Sequence, residues 1–301
     1  MKATGYTRPF MDRRDAIKAL LAAGVTGCRR PASQNAAMNT SPSTGRKMPV
    51  IFLAHGSPLL LDDQGWVDEL AGWANALPRP KAVLMLSAHW VDRPITVGAT
   101  RPVPLFYDFY GFPEKYYQTT YPAPPAPQLA ARLKSLIQGQ PVADAPKRGL
   151  DHGAYVPMVA MYPEANVPVL QASLPTLDPA ELFAMGRALA PLRDEGVLIV
   201  GSGFLTHNLR TVDFRPEAPT PTWAAEFDAW SEDVLRRRDV DALLDYRQRA
   251  PGVRQALPTH EHFVPVIVAM GAAIDDSAAT ARFPITGFAY GSATRRSVQL
   301  G

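Results

Sequence analysis

From Pro49 onward, short apolar runs alternate with longer mixed stretches. "VIFLA" (50–54), "AVLMLSA" (82–88), "PVLQASL" (168–174) and "GVLIVGSG" (196–203) are nearly unbroken apolar segments of strand length. Runs this short, rich in Val, Ile and Leu and bounded by Gly or Pro, predict strands covered on both faces. The mixed stretches between and after them predict helices over 65–77, 127–138, 154–162, 178–194, 222–246 and 259–273. The helix over 178–194 has the clearest start. Asp178 suits the N-cap, Pro179 the first helical position, and Glu181 stands at the capping-box spacing.

Strands that alternate with helices predict a single α/β domain with a central, largely parallel or mixed sheet flanked by helices. Residues 48–301 show no internal repeat and no second domain boundary. Sheets of this kind gather their functional groups at the carboxyl ends of the strands.

Charge divides the chain. The 301 residues carry 31 Lys and Arg against 28 Asp and Glu. Residues 1–47 hold nine of the basic residues and two of the acidic ones, so the remainder carries 22 against 26. The basic balance therefore belongs to the N-terminal segment, and the domain itself offers no basic surface for nucleic acid. That segment contains "MDRRDAIKALLAAGVTGC", with Arg13 and Arg14 ahead of a short apolar stretch from Ala16 to Val25. This resembles a twin-arginine export leader. Val25-Thr26-Gly27-Cys28 resembles a lipoprotein processing box, which makes Cys28 a candidate membrane tether, although Val25 and Thr26 are not its commonest residues. The Ser/Pro/Asn/Thr-rich stretch that follows has the composition of a flexible linker. Residues 1–47 are thus expected to be a leader and tether of an exported protein, the alternative being a cytoplasmic enzyme with an amphipathic N-terminal helix.

The candidate chemistry lies in six histidines. His55 follows the first strand, His89 the second, and His207 comes just after the strand ending "VGSG". His152 sits in a loop entering a helix, and His260 and His262 flank Glu261 at the start of the last one. Three strand ends bearing three histidines point to one polar cluster at one edge of the sheet. Each histidine alone is more often a hydrogen-bonded core or rim residue than a ligand, but several converging imidazoles suit zinc or iron. Cys28 is the only cysteine, so no thiolate set for an iron–sulfur cluster exists. Residues two apart on a helix face different ways. His262, at the head of "FVPVI", is therefore the better ligand, with His260 and Glu261 at the rim or behind the ligand. The aromatic stretch "PLFYDFYGFP" (104–113) offers Tyr107, Phe109 and Tyr110 as walls for a flat ring, with His260 as a further pocket residue; a packed, proline-held loop reads equally well.

The motifs "HGSP", "SAHW", "YDFYGFP", "YPAP", "DHGAYVP", "HNLR" and "HEHFVP" occur in an order that resembles the class III extradiol ring-cleavage dioxygenases, in particular their 4,5-DOPA extradiol dioxygenase branch. The resemblance spans about residues 48–301. It implies one divalent non-haem metal, Zn(2+) or Fe(2+), with His55, His89 and His262 as ligands and His207 completing or adjoining the set. It also implies that His152 binds substrate and moves protons, with His207 as a second catalytic candidate. Many class III enzymes use two histidines and a glutamate, whereas the matching position here is a histidine with Glu261 beside it. The implied partners are a small aromatic diol and O2, and the implied reaction opens the ring beside the diol. Two other readings stay open at this point: a zinc-dependent hydrolase or amidase, for which neither H-E-x-x-H nor G-x-S-x-G is present, and a non-enzymatic exported protein that holds metal or catechol in a closed four-histidine site.

Overall fold

The apolar runs do become the centre of a sheet. The computed structural model describes residues 47–215 and 217–301. The expected leader, its arginine pair and Cys28 lie outside the described residues. In chain order the elements are β1 (Val50–Ala54), α1 (Gln64–Ala76), β2 (Ala82–Val91), β3 (Ile95–Val97), α2 (Glu114–Tyr117), α3 (Pro127–Leu136), β4 (Val142–Asp144), α4 (His152–Met161), β5 (Val169–Leu174) and α5 (Pro179–Leu189). They continue with β6 (Val197–Gly203), α6 (Thr222–Arg237), α7 (Val240–Leu244), α8 (Tyr246–Arg249), α9 (Val253–Ala256), α10 (Pro265–Ala273), β7 (Ala281–Ile285), β8 (Phe288–Ala289), β9 (Ala293–Thr294) and β10 (Ser297–Leu300).

One eight-stranded sheet runs in the order β4-β3-β5-β2-β6-β1-β10-β7. Its middle is parallel, with β2 paired to β5 and β6, and β1 to β6. Its flanks turn antiparallel at β3–β5, β1–β10 and β10–β7. Strand side chains alternate between two cores. Val50, Phe52, Leu84, Leu86 and Ile199 join the core that holds α5 and α10, while Ile51, Leu53, Val83, Met85, Leu198 and Val200 join the core of α1 and α4. Both faces are covered, which is why these strands read as continuous apolar runs rather than alternating ones. Among the described residues, no helix is long and apolar enough to cross a membrane.

Two helix expectations are corrected. The stretch 222–246 is broken. α6 ends where Arg238 takes a left-handed φ of 55°, and the Asp239 side chain then caps α7 by accepting from the Ala242 N–H at 3.0 Å. The last helix begins at Pro265, not at 259, so His260 and His262 sit in the turn ahead of it. β2 is longer than its apolar core and continues to Val91, which places His89 inside the strand.

Candidate metal centre

His55 enters directly from the end of β1, with its backbone N–H on the Gly203 carbonyl at 3.3 Å. His89 comes from the neighbouring β2. His262 is carried by the turn that leads into α10, and its carbonyl accepts from the Phe204 N–H at 2.9 Å. That turn lies against the end of β6. A Cβ on Gly203 would stand 2.0 Å from the His262 carbonyl oxygen, so only glycine lets the turn approach this closely. Gly153 does the same for α4: a Cβ there would meet Ser87 Oγ at 2.5 Å and His89 Cδ2 at 2.9 Å.

The ring nitrogens of His55, His89 and His262 lie within 4.8 Å of one another. Their orientation follows from what each Nδ1 faces. The Ser202 hydroxyl donates its one hydrogen to the Gly153 carbonyl at 2.5 Å, so at its 2.9 Å contact with His55 Nδ1 the imidazole must be the donor. His55 Nε2 is then a free lone pair, 3.1 Å from His89 Nε2. His262 Nδ1 stands 3.0 Å from Glu261 Oε1, and its Nε2 is buried with no hydrogen-bond partner. His89 Nδ1 faces Asp108 Oδ2 at 3.5 Å. Each ring is thus turned through Nδ1 toward an acceptor, leaving Nε2 inward, the arrangement by which an outer partner fixes a metal-binding imidazole.

Electrostatics agree with this geometry. Burial, reinforced by the neighbouring imidazoles, holds His55 and His89 well below the ordinary histidine pKa. Burial also lowers His262, against the opposing pull of Glu261. Glu261 is pushed down to about 2; burial alone would raise it, but the bonds from His262, its own backbone and Thr259 prevail. Neutral imidazoles that cannot readily protonate, one with an orphaned buried nitrogen, are the donor set a divalent zinc or iron takes. The residues present fit such an ion.

His207 lies beside this set rather than in it. Its ring stacks on His262 with centroids 3.4 Å apart and planes 11° from parallel, and its pKa falls to about 3, mainly by burial and then by the His262 charge. A nitrogen of His207 groups with Glu261 and His262, not with His55 and His89.

His152 opens α4, which Asp151 caps by accepting from the Ala154 N–H at 3.1 Å. Asp151 is fully buried, and burial raises its pKa. Gln171 accepts from the Asp151 backbone N–H through Oε1 and donates to the Asp151 carboxylate through Nε2, so the start of α4 is held firmly to β5. The His152 ring lies 4.0 Å from that of His89. Asp108 Oδ1 takes both the His152 backbone N–H at 3.0 Å and a contact with Nδ1 at 2.7 Å.

These groups open onto a cavity of about 500 Å³. His55, His89, His152, His207 and His262 line it together with Asp108, Phe109, Tyr110, Phe204 and Tyr290. Two expected pocket residues are placed elsewhere. Tyr107 turns its hydroxyl to the Thr119 carbonyl at 2.7 Å and packs on Tyr155. His260 packs edge-on against Tyr246 at 5.5 Å. The sequence reading missed Asp108, Ser202, Phe204 and Tyr290. Asp108 lay within "YDFYGFP", a motif read only for its aromatics; the other three carried no chemical signal.

Comparison with known proteins gives the family. Residues 49–295 fit the family described as the catalytic LigB subunit of aromatic ring-opening dioxygenase. The chain is 42% identical to a 4,5-DOPA dioxygenase extradiol of Beta vulgaris over 76% of its own length and 88% of that protein. It is 38% identical to the protein of the same name from Escherichia coli K12, over 85% and 95% of the two chains. A crystal structure of an uncharacterized Escherichia coli K12 protein superposes with a TM-score of 0.73 at 35% identity, covering 85% of this chain and all of that one. The chain therefore belongs to the LigB family of aromatic ring-opening dioxygenases.

Proposed function

We propose that the protein opens the ring of a catechol beside its diol, using O2 and one metal ion held by His55, His89 and His262. The observation that carries this reading is the convergence of three neutral imidazole nitrogens on the floor of an apolar cavity that also presents His152 backed by Asp108. The relatives named 4,5-DOPA dioxygenase extradiol make DOPA-like catechols the first substrates to test.

Iron(II), which can offer open positions to a chelating diol and change its oxidation state, supplies the chemistry with O2, whereas zinc has no redox change to offer. The chain's own residues do the rest. Phe109 and Phe204 flank the imidazoles and can sandwich a flat ring. His152, held at Nδ1 by Asp108, keeps Nε2 for a substrate hydroxyl and accepts its proton, which makes the ring electron-rich. His207, stacked on His262 and lining the same cavity, is the second candidate for proton handling. The test is oxygen uptake on a catechol panel by metal-stripped protein reloaded with Fe(2+) or Zn(2+). Uptake with iron and none with zinc is expected; an iron-loaded protein inert toward every catechol overturns the reading.

Export through the Arg13–Arg14 leader, with Cys28 as a tether, is the proposed location. A twin-arginine route carries folded proteins and suits an enzyme that must take up its metal first. Arg13→Lys with Arg14→Lys should hold the precursor in the cytoplasm; unchanged fractionation removes the proposal.

A further inference from the structure

His89 is held by side chains rather than by the sheet. The register of β2 with β6 ends at Ser87 and Ser202, and that with β5 breaks between Leu86 and Val91. His89 falls in this gap. Its backbone N–H goes to Ser87 Oγ at 3.2 Å, and its carbonyl accepts from Arg148 Nη2 at 3.4 Å. Both backbone polar groups of a proposed metal ligand therefore find their partners outside the strand ladder.

Arg148 is itself fixed from both faces. Its guanidinium carbon lies 4.3 Å from the centre of the Trp90 ring and 4.6 Å from that of Phe106, distances at which each ring attracts a cation. Its Nε is buried with no hydrogen-bond partner, so the two rings rather than Nε hold the group. Nη2 also stands 3.5 Å from Asp151 Oδ2, part of the fully buried carboxylate that caps α4. Phe106 belongs to the segment that carries Asp108, and its N–H joins the Leu150 carbonyl at 2.9 Å. Gly149 permits that approach, since a Cβ there would stand 1.9 Å from the Pro104 carbonyl oxygen. One planar cation thus touches β2 beside His89, the cap of the helix that begins with His152, and the segment of Asp108. It does not line the cavity, so it acts on the site only through these residues. Phe106 is 43% exposed, and its place over Arg148 gives that outward aromatic a role.

Resting on the proposed function above, we propose that Arg148 is a positioning residue of the metal centre. Stacked between Trp90 and Phe106, it sets His89 in register with His152 and Asp108.

The test reads the site both without turnover and with it. Unaltered protein, Arg148→Met and Arg148→Lys are compared by the visible absorption of their Co(2+)-loaded forms and by Zn(2+) affinity in competition with a chromophoric chelator. Arg148→Met keeps an apolar side chain between the rings but loses every N–H. It should shift the cobalt bands and weaken zinc binding by about 10–100-fold, the usual cost of losing an outer partner. Arg148→Lys keeps the charge without the planar fork and should recover only part of the loss. On iron-loaded protein, both variants should lower kcat for a catechol and leave KM nearly unchanged. Unchanged cobalt bands and zinc affinity in Arg148→Met, or full recovery by Arg148→Lys, overturn the inference whatever the melting temperature does. If Arg148→Met does not fold, Phe106→Leu, at a partly exposed position, is read by the same measures, and unchanged bands there overturn the inference as well. If no catechol is turned over by any iron-loaded form, the ring-opening reading fails, and the cobalt spectrum still decides the role of Arg148.

Discussion

Asp108 Oδ1 lies 2.7 Å from His152 Nδ1 and 3.0 Å from the backbone nitrogen of the same residue, so one oxygen fixes both the ring and the start of its helix. Its other oxygen faces His89 Nδ1 at 3.5 Å. The two histidines, proposed respectively as base and ligand, therefore share one orienting carboxylate. Burial alone would raise the pKa of Asp108, but the His152 bonds outweigh it and keep the group ionised.

Removing that carboxylate should disturb chemistry more than folding. Asp108→Ala is expected to lower kcat by about 10–100-fold, the usual cost of losing an outer partner of a site histidine. Asp108→Asn, which still accepts a hydrogen bond, should recover part of the loss. Iron content and melting temperature measured on the same preparations distinguish positioning from collapse. An unchanged kcat in the alanine variant would show that the pair has no role in turnover.

His152→Ala separates proton handling from metal holding. Bound iron should stay at the level of the unaltered protein while catechol-dependent oxygen uptake falls by about 10²–10⁴-fold. A proportional fall in iron would instead make His152 a ligand. Full activity with normal iron would exclude it from the reaction.

His55→Ala and His89→Ala should each abolish metal binding with the fold retained, as read by metal analysis and far-ultraviolet circular dichroism. His260→Ala is the contrast. Its ring packs on Tyr246 outside the cavity, so metal content and KM should be unaffected. A loss of metal in that variant would contradict the placement of His260.

The buried histidines also predict a pH dependence for the metal-free protein. His55, His89, His207 and His262 all have folded pKa values below the ordinary 6.5, and that of His207 is about 3. In the unfolded chain they titrate near 6.5, so below that pH the unfolded state takes up more protons than the folded one. Stability is therefore complete above about pH 6.5 and declines as pH falls toward the folded values. Melting temperatures should hold from pH 7.5 to about 6.5 and drop from there to pH 5.5, still above the carboxylate range. A flat profile would mean that these rings are not held neutral.

Much of the sheet and most of the site were legible in the order of residues alone. Runs such as "VIFLA" and "AVLMLSA" read as buried strands because parallel strands covered on both faces have no polar side to show. Asp178, Pro179 and Glu181 announced α5 because capping is a local contact: the Asp178 side chain accepts from the Glu181 N–H at 2.9 Å. Histidines placed at strand ends pointed to a common edge, since parallel strands bring their carboxyl ends together whatever lies between them. Contacts between distant segments could not be read this way. β10 is four residues of "SVQL", too short and mixed to stand out, and becomes a strand by pairing with β1 on one side and β7 on the other. Asp108 and His152 are 44 residues apart, and Ser202 is 147 from His55, so no periodicity links either pair. The separation of His207 from the three converging nitrogens was likewise decided by packing. The turn at 259–264 lies against glycine-bearing β6, which turns His262 inward, stacks it on His207 and leaves His260 against Tyr246.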